Sequence, residues 1–290
     1  MRIRCKIRNE EINFETMEEA RKYERYHEIT YMNCSHAKIE VIENLPESLR
    51  IFNCSFNKIG KIENLPEFLQ YFDCFGNQIE KIENLRYHWN GVKMIIEENK
   101  RLPKFLQKFN CSSNQIEKIE NLSKNLRIFN CSSNQIKKIE NLRYYWNGVE
   151  MVIEEDKQLP KYLRVFYCGC NKIKKIENLP EFLQIFDCSD NKITKIENLP
   201  TNLLEFCCLT NLITSIDKLP LMLYKYLVDN FTLLSPEEKQ KIKENNKIKE
   251  KLEKTIDRTY MVATGIELGG NESVFLIPPV DCVVKSMEWF

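Results

Sequence analysis

Twelve cysteines and three histidines carry the most versatile chemistry in this chain, and their spacing decides what they could do. Thiols two residues apart can close on one metal ion or exchange one disulfide. No Cys-x-x-Cys pair occurs here; Cys168 and Cys170 are one residue apart, and Cys207 adjoins Cys208. Eight cysteines instead hold one position of a recurring phrase: Cys34, Cys54, Cys74, Cys111, Cys131, Cys168, Cys188 and Cys208. A column of this kind reads as small side chains filling a core. Stacked parallel strands hold Cβ atoms about 4.8 Å apart, wider than a disulfide prefers, so free thiols in a reducing compartment are expected. His27, His36 and His88 fall at unrelated positions and compose no ligand set. There is no glycine-rich phosphate loop and no His-Glu-x-x-His. Carboxylates recur in columns rather than as an isolated pair. The expectation is a non-enzymatic protein with no cofactor and no metal.

The elements that hold these residues come from the phrase itself, which is about twenty residues long. From Leu69 it runs Leu-Gln-Tyr-Phe-Asp-Cys-Phe-Gly-Asn-Gln-Ile-Glu-Lys-Ile-Glu-Asn-Leu, and Leu183 opens a close copy. A fixed period of this length means a solenoid whose units are too small to fold alone. With Leu69 as position one, Leu69, Phe72, Cys74, Ile79, Ile82 and Leu85 form the apolar set. Positions four and six share one face of a short strand, and positions three, five and seven the other. Twenty residues leave no room for a long return helix, and Leu-Pro pairs such as 65–66 and 179–180 hold the return extended. The asparagines at position nine, Asn57 to Asn211, are expected to turn inward and bridge neighbouring coils through their amides. Nine coils are countable over residues 29–232, the last degenerate.

The pattern Leu-x-x-Phe-x-Cys-x-x-Asn-x-Ile-x-x-Ile-x-x-Leu-Pro resembles a leucine-rich repeat, closest to the short type of bacterial secreted effectors. The Ile/Lys/Asn-rich composition is also similar to that of leucine-rich-repeat proteins of giant DNA viruses. The resemblance implies a mainly β repeat solenoid with a curved parallel sheet on its concave face, an extended or 3₁₀ convex side and ligand binding on the concave face. It implies no catalysis. It also places the chain in the cytoplasm, that of the host if the chain is viral.

Two insertions interrupt the period in register. Asn77 to Asn114 and Asn134 to Asn171 each span 37 residues, one repeat plus 17. Both inserts, 86–102 and 143–159, carry Asn-Gly between aromatic and β-branched residues, the strongest short hairpin signal, since a type I′ turn needs positive φ at both central residues. Two hairpins are expected on one edge, two coils apart, stacked on each other around Trp89 or Trp146 or presenting those indoles to a partner.

Residues 1–28 read as a cap, with a strand through Ile3, Cys5 and Ile7 and a helix opened by Thr16-Met-Glu-Glu19 and running to about His27. Residues 233–290 read as a helix from the capping box Ser235-Pro-Glu-Glu238 to about Asp257, then a short β tail around Gly269-Gly270-Asn271.

Lys+Arg 43 against Asp+Glu 42 leaves a net charge of +1. That near balance, with a return-side lysine column (Lys61 to Lys195) matched by a glutamate column, argues against nucleic acid as the partner. No apolar run approaches membrane length, and the first residues hold no apolar signal segment. The partner is therefore read as a protein of unknown identity, the oligomeric state staying open. The concave stripe expected to bind it is aliphatic and aromatic at position three (Tyr31, Ile51, Tyr71, Ile128, Val165, Ile185). It is polar at position five (Asp73, Tyr167, Asp187), with Arg50, Arg127 and Arg164 at the margin, as in an interface core with a polar rim. The alternative reading is a substrate-recognition adaptor for an enzyme such as a ubiquitin ligase, recruited through the C-terminal tail.

Overall fold

A computed structural model describes residues 2–84, 101–141, 158–228 and 234–255, together with the backbone of the four strands inside the two inserts. The chain divides into two compact units, Met1–Asn246 and Lys247–Phe290, and the solenoid lies in the first. Its spine is a sheet in which nine three-residue strands run parallel: Tyr31–Asn33, Ile51–Asn53, Tyr71–Asp73, Lys108–Asn110, Ile128–Asn130, Val165–Tyr167, Ile185–Asp187, Glu205–Cys207 and Lys225–Leu227. They define coils one to nine. Each strand pairs in register with the next, so Ile51, Tyr71, Lys108, Ile128 and Val165 form one row across it.

The row behind the sheet is the core. Phe52, Phe72, Phe109, Phe129, Phe166, Phe186, Phe206 and Tyr226 stack ring on ring with centroids 5.5 to 5.8 Å apart. A planar side chain suits this place because a ring lying roughly parallel to its neighbour fills the space between coils without a void. The cysteines of position six are buried, and the described cysteines are free thiols. Six of the column point Sγ at the carbonyl of the next coil, as Cys34 does to Asn53 (3.4 Å) and Cys111 to Asn130 (3.5 Å).

Position nine closes the turns of coils two to eight as its sequence suggests. The Asn134 amide nitrogen donates to Cys111 O of the preceding coil and to Cys131 O and Ser132 O of its own, at 3.0, 3.0 and 3.1 Å. Its Oδ1 accepts from Ile116 N at 2.9 Å. The arrangement repeats at Asn57, Asn77, Asn114, Asn171, Asn191 and Asn211, so carbonyls that leave the sheet ladder still find donors. Residues just before it take a left-handed backbone whatever their type: Phe56, Ser113, Cys170 and Asp190 share φ = 53° with little variation in the other coils. A second asparagine column in the Ile-Glu-Asn-Leu phrase, including Asn44, Asn64, Asn121, Asn178 and Asn198, takes φ of 49 to 56° on the return side. Asparagine is the non-glycine residue best suited to that conformation.

Every coil re-enters the sheet through a four-residue turn. The N–H of position one bonds back to the residue three before it, as Leu69 does to Pro66 O (3.2 Å) and Leu106 to Pro103 O (3.0 Å). Leu102 and Leu159, at the far bounds expected for the inserts, are buried members of the coil core.

The inserts contain antiparallel strand pairs, Tyr87–Trp89 with Met94–Ile96 and Tyr144–Trp146 with Met151–Ile153. Trp89 pairs with Met94, and the Asn-Gly turns expected between the strands lie outside the described residues. The expected stacking of the two hairpins, the indoles of Trp89 and Trp146, and the β tail lie outside the described residues.

At the N-terminal end, the strand Ile3–Ile7 pairs antiparallel with Tyr31–Asn33, and Glu10–Phe14 adds a further antiparallel strand outside it. The helix opened by Thr16 ends at Lys22, earlier than expected, and a 3₁₀ turn follows at Tyr26–Glu28. The Tyr23 N–H bonds to Ala20 O, tightening the last turn, and the Tyr23 ring packs on Phe14 at 5.5 Å, which steers the chain toward the first coil. At the other end, Ser235 and Glu238 form a reciprocal capping box, with Glu238 N to Ser235 Oγ at 3.2 Å and Ser235 N to Glu238 Oε2 at 2.9 Å. The helix Pro236–Thr255 follows. Its Asn245 amide donates to Leu221 O and Leu223 O at 3.0 and 2.9 Å, which ties the helix to the ninth coil.

Candidate functional site

The open face of the sheet, opposite the phenylalanine stack, carries the residues expected to bind. In the third column Ile51, Ile128, Val165 and Ile185 are half-buried by their neighbours along the row, whereas Tyr31 and Tyr71 are buried. Lysines roof both tyrosines: Lys6 Nζ lies 5.3 Å from the Tyr31 ring centroid and Lys108 Nζ 4.8 Å from that of Tyr71. Burial pushes the Lys108 ammonium below its ordinary range and the Tyr71 hydroxyl above its own.

The fifth column is engaged by the fold. Oδ1 of Asp73 accepts the Phe75 N–H at 3.0 Å, and Oδ1 of Asp187 accepts that of Ser189 at 2.9 Å. Asn33, Asn53, Asn110 and Asn130 make the same bond to the residue two ahead. This side-chain turn ends each strand, and it is why Asn or Asp fills the place. Burial lifts the Asp73 carboxyl to about 6, against the lowering effect of the Phe75 N–H and the Asn110 amide. Asp187 moves the same way for the same cause, and desolvation pushes the half-buried Tyr167 phenol up to about 12.

The three marginal arginines divide. Arg50 is bound into the fold, with Nη1 donating to Ser48 O at 2.7 Å and the guanidinium 5.1 Å from the Phe68 ring centroid. Arg127 and Arg164 are exposed, on adjacent strands. The face therefore brings together a half-buried aliphatic row and two outward guanidinium groups, with no cluster of His, Cys, Asp and Glu fit to hold a metal among the described residues. The core thiols are poor nucleophiles: desolvation drives Cys54, Cys74, Cys111, Cys168 and Cys188 well above the ordinary thiol range. Cys170 and Cys207, outside the core column, are also raised by burial.

Reading from composition overlooked the column just before position one. Phe68, Phe105, Tyr162 and Phe182 occupy the apex of the re-entry turn and are exposed. Ser48, Asn125 and Asn202 fill the same place in other coils and bond back to main-chain carbonyls. The available signal was an aromatic residue recurring where a turn calls for Ser or Asn.

No described helix is long and apolar enough to cross a membrane. No family model matches the chain, and no curated protein does. Among solved structures the chain is similar to YopM, a leucine-rich effector protein from Yersinia pestis, at 20% identity and a TM-score of 0.52, over 69% of this chain and 49% of that one. It is also similar to a Shigella effector leucine-rich-repeat domain, at 18% identity and a TM-score of 0.45, over 64% and 71%. A third likeness is to the functional domain of InlJ from Listeria monocytogenes, which includes a cysteine ladder, at 18% identity and a TM-score of 0.40, over 78% and 57%. The chain thus spans about half the length of the Yersinia protein. In-register parallel strands, a twenty-residue period and an asparagine ladder through the middle coils give this chain the fold of a leucine-rich-repeat solenoid.

Proposed function

We propose that the protein is a non-enzymatic interaction scaffold whose open sheet face binds a protein partner. The observation that carries this reading is the half-buried row Ile128–Val165–Ile185 beside the exposed Arg127 and Arg164. An aliphatic centre with guanidinium groups on its border is the composition of a protein interface. Tyr31, Tyr71, Asp73 and Asp187 contribute shape rather than free polar groups, because their own coils or neighbouring lysines already engage them. Buried free thiols are in keeping with a reducing compartment such as cytoplasm.

The test is affinity capture from cytosol of the native cell under reducing conditions, comparing wild type with the Ile128→Arg, Ile185→Arg double variant. Circular dichroism would confirm that both fold. Proteins retained by wild type and lost by the variant support the reading; identical capture overturns it. Removing residues 235–290 addresses the adaptor alternative, which requires that one partner be kept and another lost.

A further inference from the structure

The charge on the sheet side is not spread evenly. Coils four, five and six carry Lys104, Lys124 and Lys161 just before the turn apex, Arg127 and Arg164 at position two and Lys108 at position three. From these lysines to position seven the three coils contain no carboxylate. The coils on either side reverse the pattern: coil three has Glu67 and Asp73, and coil seven has Glu181 and Asp187 at the equivalent places. A basic block three coils wide is therefore bounded by acid at both ends. None of Lys104, Lys124, Arg127, Lys161 and Arg164 forms an ion pair among the described residues, although ion pairs join Arg25 to Glu10 and Lys225 to Glu205 elsewhere.

The aromatic column runs through the same block and breaks within it. Phe68 and Phe105 stack at 5.4 Å, and Tyr162 and Phe182 at 6.2 Å. Between the two pairs stands Asn125, whose amide folds back onto Lys104 O at 2.9 Å. Neighbouring coils lie about 4.8 Å apart, so the rings of Phe105 and Tyr162, two coils apart, flank a notch with centres about 10 Å from each other. That is the space one further planar or branched side chain would occupy in the stack. Lys104 and Lys161 lie 5.7 and 5.9 Å from the ring centroids of Phe105 and Tyr162, and Lys124 is exposed between them.

We infer that this notch docks a short acidic segment of a protein partner, with one apolar side chain entering between Phe105 and Tyr162 and carboxylates meeting the surrounding lysines and arginines. The inference deepens the scaffold reading and rests on it. Charge complementarity selects an acidic occupant. The acidic boundaries at Glu67 and Glu181 select a short one, since a long phosphate polymer running across the coils would meet both.

The test is a fluorescence-anisotropy titration of the full chain with a fluorescein-labelled peptide of glutamates around a central tryptophan. An all-glutamate peptide and an oligothymidylate of equal length serve as comparisons. Wild type should bind the tryptophan peptide saturably, more tightly than either comparison, and more weakly as salt is raised. Lys124→Glu with Arg127→Glu should weaken it by more than about tenfold, whereas the equal charge change in Lys118→Glu with Lys138→Glu on the return side should alter it by less than about twofold. Asn125→Phe keeps every charge and fills the notch, so it should abolish the advantage of the tryptophan peptide over the all-glutamate one. Circular dichroism shows whether each variant folds.

Absence of saturable binding overturns the inference, as does equal weakening by both charge reversals or tighter binding of the oligothymidylate. If the peptide fails while the Ile128→Arg, Ile185→Arg variant still loses its captured partner, the acidic segment is wrong and the sheet-face scaffold stands.

Discussion

The two faces of one strand make different use of the same repeat. Facing inward, positions four, six and nine hardly vary from coil to coil: phenylalanine, cysteine and asparagine meet copies of themselves 20 or 37 residues away. Facing outward, position three runs Tyr, Ile, Tyr, Lys, Ile, Val, Ile, Glu, Lys, and the turn apex runs Glu, Ser, Phe, Phe, Asn, Tyr, Phe, Asn, Met. Inward, each coil offers the next an identical environment, so one solution serves throughout. Outward, the neighbour is solvent or another molecule, and nothing in the solenoid requires sameness. Repetition in this chain therefore marks structure, and its interruption, over coils four to six, is where the proposed binding surface lies.

If that division holds, inward substitutions should be costly and outward ones mild. Phe129→Ala opens a gap between Phe109 and Phe166, now 5.7 and 5.6 Å away, and should cost about 3–5 kcal/mol in urea unfolding. Asn134→Ala orphans the Ile116 N–H and removes a donor from three carbonyls. A cost of about 2–4 kcal/mol is expected, since buried polar groups without partners carry their full desolvation penalty. A loss below about 1 kcal/mol for either would dissolve the distinction between the faces.

The inward solution was legible because it is periodic: the cysteine, phenylalanine and asparagine columns could be placed from spacing alone. What escaped was geometry that different residue types share. The left-handed backbone before each bridging asparagine is adopted by Phe56, Ser113, Cys170 and Asp190 alike, so composition gives no sign of it. It is imposed by the turn that sends the following amide inward. The strand Glu10–Phe14 escaped because its five residues, Glu-Glu-Ile-Asn-Phe, are acidic at the start and only Phe14 is buried. At the candidate surface, the third column and the arginines could be assigned to the open face. That Arg50 is held by Ser48 O while Arg127 is free to point outward depends on Phe68 and the turn apex, which differ between those coils.

Position five lies between the two behaviours, outward in direction but bound into its own turn, and pH separates its roles. Asp73 does in coil three what Asn53 and Asn110 do on either side. Its folded pKa of about 6 lies above the ordinary carboxylate value because burial disfavours the anion. Between roughly pH 4 and 6 the folded chain binds more protons than the unfolded one, so this site's contribution to stability falls as pH rises through that window. Asp73→Asn keeps the acceptor and removes the charge. It should stabilise the fold at pH 8 by about 1–3 kcal/mol and make no difference near pH 3. Thermal unfolding midpoints of the two proteins across that range would check it; a midpoint difference independent of pH would mean that Asp73 is not desolvated in the way its burial implies.

The smallest effect is expected where the chain departs most from its own repeat. Tyr162 is exposed at a turn apex, touches Phe182 and lies beneath Lys161. Replacing it with serine, the residue coil two carries there, removes one partly exposed stacking contact and leaves the Leu163 to Pro160 turn bond intact. Exposed aromatic and cation contacts of this kind are worth about 0.5–1 kcal/mol each, so Tyr162→Ser should lower stability by no more than about 1 kcal/mol. Urea midpoints measured beside those of Phe129→Ala would show it. A loss as large as that of the buried phenylalanine would make the apex aromatics part of the core in all but position, and it would remove the reason for expecting them to meet a partner.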